Sequence, residues 1–156
     1  MLPEVVADRI RSEMGQIDEL FRQFDELIGS PPGMEPDLVR RTALAAVLHS
    51  FYTGVEAILL TVAKEVDQQA PSGPRWHRDL LDQCMERTDK RPAVISREAR
   101  GSLDRYLAFR HFFRQAYSFV LRWEDMRDLV TEADGTWAKT KEEVERWLAQ
   151  IQRPGG

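Results

Sequence analysis

Apolar residues return every three or four positions along most of the chain, the period of an α-helix that buries one face. Val5, Val6, Ile10, Met14, Ile17, Leu20, Phe21, Phe24, Leu27 and Ile28 predict a first helix over residues 4–28, closed by Gly29-Ser30-Pro31-Pro32-Gly33. A longer run through Ala43, Leu48, Phe51, Val55, Leu59 and Val66 predicts a helix over about 37–69, the central and most buried rod. After Pro71-Ser72-Gly73-Pro74, the residues Leu80, Leu81 and Met85 mark a short helix over 77–87. Ser96 is the expected N-cap of a fourth helix that reaches Phe119. Met126, Leu129, Val130, Trp137, Val144, Trp147, Leu148 and Ile151 line a last helix over 124–152, which Asp134-Gly135 could split. Strand-like alternation and repeats are lacking, and the connections are short. The pattern predicts an all-α fold, an antiparallel bundle of about five helices forming a single domain over 1–153 with a tail at 154–156.

The fourth helix carries the most unusual stretch. On a helical projection Arg110, Arg114, Ser118, His111 and Gln115 share an arc of roughly 140°, with Tyr117 at its edge. Phe109, Phe112, Phe113, Ala116, Phe119 and Val120 form an opposing apolar surface, wide enough to face both the bundle and a second copy of the chain. Charge gathers here as well. Residues 97–122 hold six arginines against Glu98 and Asp104, a local balance of +4 in a chain of net charge −4. A basic patch on an acidic body suits a small anion or a few phosphates better than non-specific tracking along a duplex.

Cleavage of an RNA phosphodiester by its own 2′-hydroxyl fits such a patch. The reaction needs arginine to neutralise the phosphoryl oxygens and a group that titrates near neutral pH. Arg110 and Arg114 meet the first need, and the imidazole of His111 is a candidate for the second. Gln115 does not titrate. His49 and Trp76-His77 read as structural, and Glu56 as one side of a polar contact across the bundle, where Gly54 permits close helix approach. The chain has no Gly-rich phosphate loop, metalloprotease motif or nucleophile elbow. Neither a metal nor a cofactor is expected. A lone Cys84 makes no internal disulfide. With no run of about 18 apolar residues and no leader-like pattern at Met1-Leu2-Pro3-Glu4, the expectation is a cytoplasmic protein that does not engage a membrane.

Several separated segments resemble the HepT-like toxins of the HEPN superfamily. They are Leu48-His49-Ser50-Phe51-Tyr52-Thr53-Gly54-Val55-Glu56, Trp76-His77-Arg78-Asp79-Leu80-Leu81, Arg91-Pro92, the stretch from Phe109 to Tyr117, Trp123-Glu124-Asp125-Met126 and Leu129-Val130. The resemblance implies a HEPN-like bundle that forms a homodimer and brings two Arg-x4-6-His motifs to a shared cleft, where RNA, a tRNA or an mRNA, is cut without metal. It also implies a type VII toxin–antitoxin system. The partner there is an MNT-type nucleotidyltransferase antitoxin, which attaches AMP to the tyrosine of an extended Arg-x4-His-x-Tyr motif. Aligned on that motif, Arg110 takes the arginine position, Tyr117 the tyrosine position and Gln115 the histidine position, so ribonuclease activity is expected to be impaired. Three further readings stay open. Arg105 and His111 have a motif-like spacing but no tyrosine two residues later; His111, one turn before Gln115, could substitute; or the glutamine was introduced to silence a toxic protein. A different functional class is a non-catalytic HEPN dimer, acting as a binding scaffold or as an AMPylation substrate.

Overall fold

Among the described residues the computed structural model has six α-helices: α1 (Glu4–Gln23), α2 (Asp25–Ile28), α3 (Leu38–Glu65), α4 (Trp76–Met85), α5 (Arg97–Gln115) and α6 (Trp123–Ile151), with a 3-10 turn at Ser118–Val120. The structure describes residues 2–30 and 34–152. The break at Pro31-Pro32-Gly33, the tail at 154–156 and the side chain of Ser118 lie outside the described residues. Among those residues there is no strand, only an isolated bridge between Thr88 and Arg91.

Helix α3 is the axis of the bundle, as its uninterrupted apolar pattern predicts, and it packs against every other helix. Its mean hydropathy reaches 1.6 over an 18-residue window, and 61% of that window is buried within the bundle. Phe51 shows why. It meets Phe21 of α1, Tyr106 of α5 and Trp137 of α6 edge-on, at ring separations of 5.4, 5.1 and 6.2 Å, so one side chain joins four helices. Polar ties fix the same neighbours: the Tyr106 hydroxyl donates to the Leu129 carbonyl at 2.7 Å, and Trp137 Nε1 to Asp18 at 2.8 Å. Gly54 is where α1 comes closest, since a Cβ there would stand 2.7 Å from Ile17 Cγ1.

Two anchors set where α5 begins. Ser96 Oγ accepts from the Ala99 amide at 3.0 Å, the N-cap bond its sequence position predicts, while Glu143 of α6 receives both the Ser96 amide and hydroxyl, at 2.7 and 2.8 Å. The segment before it is pinned by Arg91. Its buried guanidinium grips Asp67 through two bonds of 2.7 and 2.9 Å and also donates to the carbonyls of Gln83, Glu86 and Pro92.

The structure corrects four boundaries. The first helical run breaks at Phe24, whose backbone (φ −108°, ψ 17°) leaves the helical region, so α1 and α2 replace one helix and the count becomes six. The second ends at Glu65, with Gln68 in the left-handed region (φ 56°) turning the chain before Pro71. Helix α6 runs unbroken through Asp134-Gly135, because Met126, Ala133, Trp137 and Val144 keep one buried face across the glycine. Helix α5 stops at Gln115 instead of reaching Phe119: Ala116 is extended (ψ 148°), and the chain turns so that Leu121 can re-enter the core.

Candidate functional site

Arg110 is buried, and the helical period explains it. Ala99, Leu103, Tyr106 and Leu107 form the core stripe of α5, and position 110 is the next member of that stripe, four residues beyond Tyr106 and three beyond Leu107. The expected solvated arc is therefore divided. Arg110 points inward at 5% exposure, whereas His111, Arg114 and Gln115 stay on the exposed side.

A charge in that position must be paired. Arg110 Nη2 donates to Glu56 Oε2 at 2.9 Å, Nη1 donates to Thr53 Oγ1 at 3.2 Å, and the guanidinium carbon lies 4.9 Å from the centre of the Tyr52 ring. All three partners come from one stretch of α3, Tyr52 to Glu56. Beneath the guanidinium the Tyr52 hydroxyl is buried with no hydrogen-bond partner among the described residues. Burial, reinforced by the Glu56 charge, holds it protonated far above the usual phenol range.

The helix α4 completes the cluster. His77 Nδ1 lies 2.7 Å from Glu56 Oε2 and 3.1 Å from Arg110 Nη2. One ring nitrogen cannot donate to a carboxylate and accept from a guanidinium at once. The shorter, charge-assisted contact assigns the Nδ1 proton to Glu56, which leaves Nε2 as the open position of the ring. The imidazole is stacked on Trp76 at 3.7 Å, and its side chain is 33% exposed. Glu56, His77 and Arg110 thus form one connected unit across α3, α4 and α5. The polar contact expected of Glu56 is present, and His77, read from the sequence as structural, is one of its partners. The signal lay in the sequence: His77 follows a Pro-Gly break at the start of an amphipathic helix, where a side chain can reach the bundle's rim.

His49, one helical turn before Thr53 on α3, tilts against Phe113 at 5.6 Å. Its Nδ1 is buried with no partner among the described residues, and burial together with the charges of Arg110 and Arg114 lowers the imidazole's pKa below its usual value.

Beyond Gln115 the surroundings invert. Tyr117 lies off the helix, not at the edge of a helical arc, and is 76% exposed. Its ring stacks on the equally exposed Phe119 at 5.6 Å, and Phe112 and Val120 are exposed nearby in the chain. Of the apolar surface expected opposite the arginines, Phe109 is buried and Phe113 half-buried, while Phe112, Phe119 and Val120 face outward. Among the described residues no cluster of three or more His, Cys, Asp or Glu side chains is arranged to hold a metal ion.

Comparison with curated proteins and with solved structures gave no match. The family model for HepT-like proteins matches residues 43–151, from the body of α3 to the end of α6. That span includes Tyr52, Glu56, His77, Arg110, Gln115 and Tyr117 and covers well over half of the chain, which therefore belongs to the HepT-like family of the HEPN superfamily.

Proposed function

We propose that this chain is the HepT-like member of a HEPN/MNT toxin–antitoxin pair: a dimeric ribonuclease, weakened at Gln115, whose Tyr117 accepts AMP from an MNT-type nucleotidyltransferase. The observation that carries the reading is the environment of Tyr117. A phenol that is 76% exposed, beyond a helix end and beside a second exposed ring, is open to an enzyme that must bring ATP to it. In that transfer the Tyr117 oxygen bonds to the α-phosphorus of ATP, pyrophosphate leaves, and the phenolic proton passes to solvent. Arg110 and Arg114 are the phosphate-facing candidates, and Gln115 occupies the position where the family motif carries its histidine.

One observation favours a second reading. Arg110 is already paired with Glu56, so a guanidinium needed for phosphate is committed inside the protein. A non-catalytic dimer that holds its partner and accepts AMP would not need it free.

The decisive comparison is RNA cleavage by the chain and by Gln115→His. Restoration of an imidazole is expected to raise the rate by about 10²- to 10⁴-fold, the usual worth of a positioned acid or base. If both cut equally and His111→Ala silences each, then position 115 is not the motif position. If neither cuts, the scaffold reading stands. Co-expression with an MNT-type nucleotidyltransferase, followed by intact-mass and peptide analysis, is expected to place AMP on Tyr117. An unmodified Tyr117 beside an active transferase removes that part of the reading.

A further inference from the structure

The chain has three histidines, and only His77 is in direct contact with the arginine position of the motif. His111 is exposed on α5, and His49 turns its Nδ1 into the protein. We infer that His77, oriented by Glu56 and braced by Trp76, is the group that exchanges a proton with the RNA 2′-hydroxyl in this chain, supplying the chemistry that Gln115 lacks. The inference rests on the ribonuclease reading above and names the residue that carries its remaining activity.

The geometry separates this role from simple support of Arg110. Glu56 and Thr53 already satisfy the guanidinium, and Tyr52 lies against its face. With the Nδ1 proton donated to Glu56, the 3.1 Å approach of Arg110 Nη2 to the same nitrogen sets two donors side by side and is no second hydrogen bond. The imidazole therefore does not satisfy the arginine. What Glu56 does for it is fix the tautomer and the ring plane, as a carboxylate behind a catalytic imidazole does. Trp76 stacks on the ring at 3.7 Å and braces it, and the side chain keeps one-third of its surface in solvent. Both polar contacts of the ring run through Nδ1, on the side away from Nε2.

The step is balanced as follows. His77 Nε2 takes the 2′-hydroxyl proton while the 2′ oxygen bonds to phosphorus. The bond from phosphorus to the 5′ oxygen breaks, and that oxygen leaves with the electron pair and takes a proton from water. The imidazolium returns its proton to the resulting hydroxide. The products are a 2′,3′-cyclic phosphate and a 5′-hydroxyl. Glu56 acts through His77 and is a positioning residue.

The test uses the full chain and a single-stranded, mixed-sequence RNA oligonucleotide labelled with a fluorophore and quencher, in buffer containing EDTA. His77→Ala is expected to lower kcat by about 10²- to 10⁴-fold with KM within about twofold. Free imidazole in the buffer is expected to restore part of the rate to His77→Ala while leaving the parent chain unaffected, a rescue that a structural role does not produce. Glu56→Gln is expected to lower kcat less than His77→Ala. Should His77→Ala fail to fold by circular dichroism, His77→Gln, which keeps the size of the side chain, replaces it. Cleavage by the parent chain that persists unchanged in the His77 variant overturns the inference and leaves the ribonuclease reading intact. Cleavage by Gln115→His alone, with an inert parent chain, overturns it too, because His77 then supplies nothing unaided. Inert RNA with every variant overturns the ribonuclease reading and this inference together.

Discussion

Arg110 and Tyr117 stand seven residues apart in the chain and in opposite surroundings. The arginine, on α5, is held by Glu56, Thr53 and Tyr52 of α3, with His77 of α4 alongside, and the core holds these three helices together. The tyrosine is off the helix, exposed, and stacked only on another exposed ring. The difference divides the two tasks of the proposed function physically. Chemistry on a phosphate needs groups fixed to within fractions of an ångström, and rigid helices supply that. Modification by a second enzyme needs a side chain that another active site can engulf, and a segment past a helix end supplies that. In the proposed function one short stretch would serve both, because α5 ends between the two residues, at Gln115.

The sharpest way to break this contrast is to unpair the arginine. Glu56→Ala leaves a buried guanidinium with its carboxylate gone, and removal of one partner of such a pair costs about 3–5 kcal/mol. Urea unfolding measures it. The double variant Glu56→Leu with Arg110→Met is expected to recover most of the loss, because it deletes both charges from a buried site. A cost below about 1 kcal/mol for Glu56→Ala would mean that water reaches Arg110 and that the contrast with Tyr117 is one of degree only.

Close packing of α1 against α3 supports the same rigid side. Gly54 lies between Thr53 and Glu56 in the chain, and any Cβ there meets the buried Ile17 at 2.7 Å. Gly54→Val is expected to force α1 outward and to destabilise the protein by about 2 kcal/mol, in the range of overpacked cores. An unchanged unfolding midpoint would show that Ile17 yields freely, and that this helix contact does not hold Thr53 and Glu56 in place.

How far the chain could be read in advance follows from the same physics. Helices α3 and α6 were legible because their apolar positions repeat over many turns, and the N-cap at Ser96 because its side-chain bond is local. The end of α5 was not. No glycine or proline stands there, and the helix stops because Leu121 is drawn into the core, a tertiary cause that leaves no local mark. The burial of Arg110 was half legible: the stripe through Leu103, Tyr106 and Leu107 leads to it, but its charge argues for solvent until Glu56 is known to lie opposite. The Glu56–His77 contact spans 21 residues and two helices, beyond any pattern of spacing. Arg110, Gln115 and Tyr117 were assigned motif positions by resemblance alone, and the structure places only the first of them inside the cluster.

A second buried pair, between Asp67 beyond the end of α3 and Arg91 before α5, tests whether rigid support comes from ion pairs generally. Burial works to push the Asp67 carboxyl up, but hydrogen bonds from Arg91 and Gln83, with the charges of Arg91 and Lys90, outweigh it and hold the group below the ordinary aspartate value of 3.8. A carboxyl depressed on folding stabilises the protein above its unfolded value, and that contribution is lost as pH falls through the folded value. Stability is therefore expected to fall as pH drops below about 4, and Asp67→Asn is expected to remove part of that slope while lowering stability at neutral pH. A slope identical in the parent and in Asp67→Asn would place the acid sensitivity elsewhere.

The smallest expected effect falls on the exposed side. Tyr117→Phe removes a hydroxyl from a ring that is 76% exposed and keeps the stack on Phe119, so unfolding free energy is expected to change by no more than about 0.5 kcal/mol. The variant should fold, associate and treat RNA as the parent does, yet accept no AMP. A larger loss of stability would mean that the hydroxyl is bound within the assembled protein, most simply against a second copy of the chain. The exposed aromatic end would then be an interface as constrained as the arginine node, and exposure in one chain would no longer support the proposal that this tyrosine is modified.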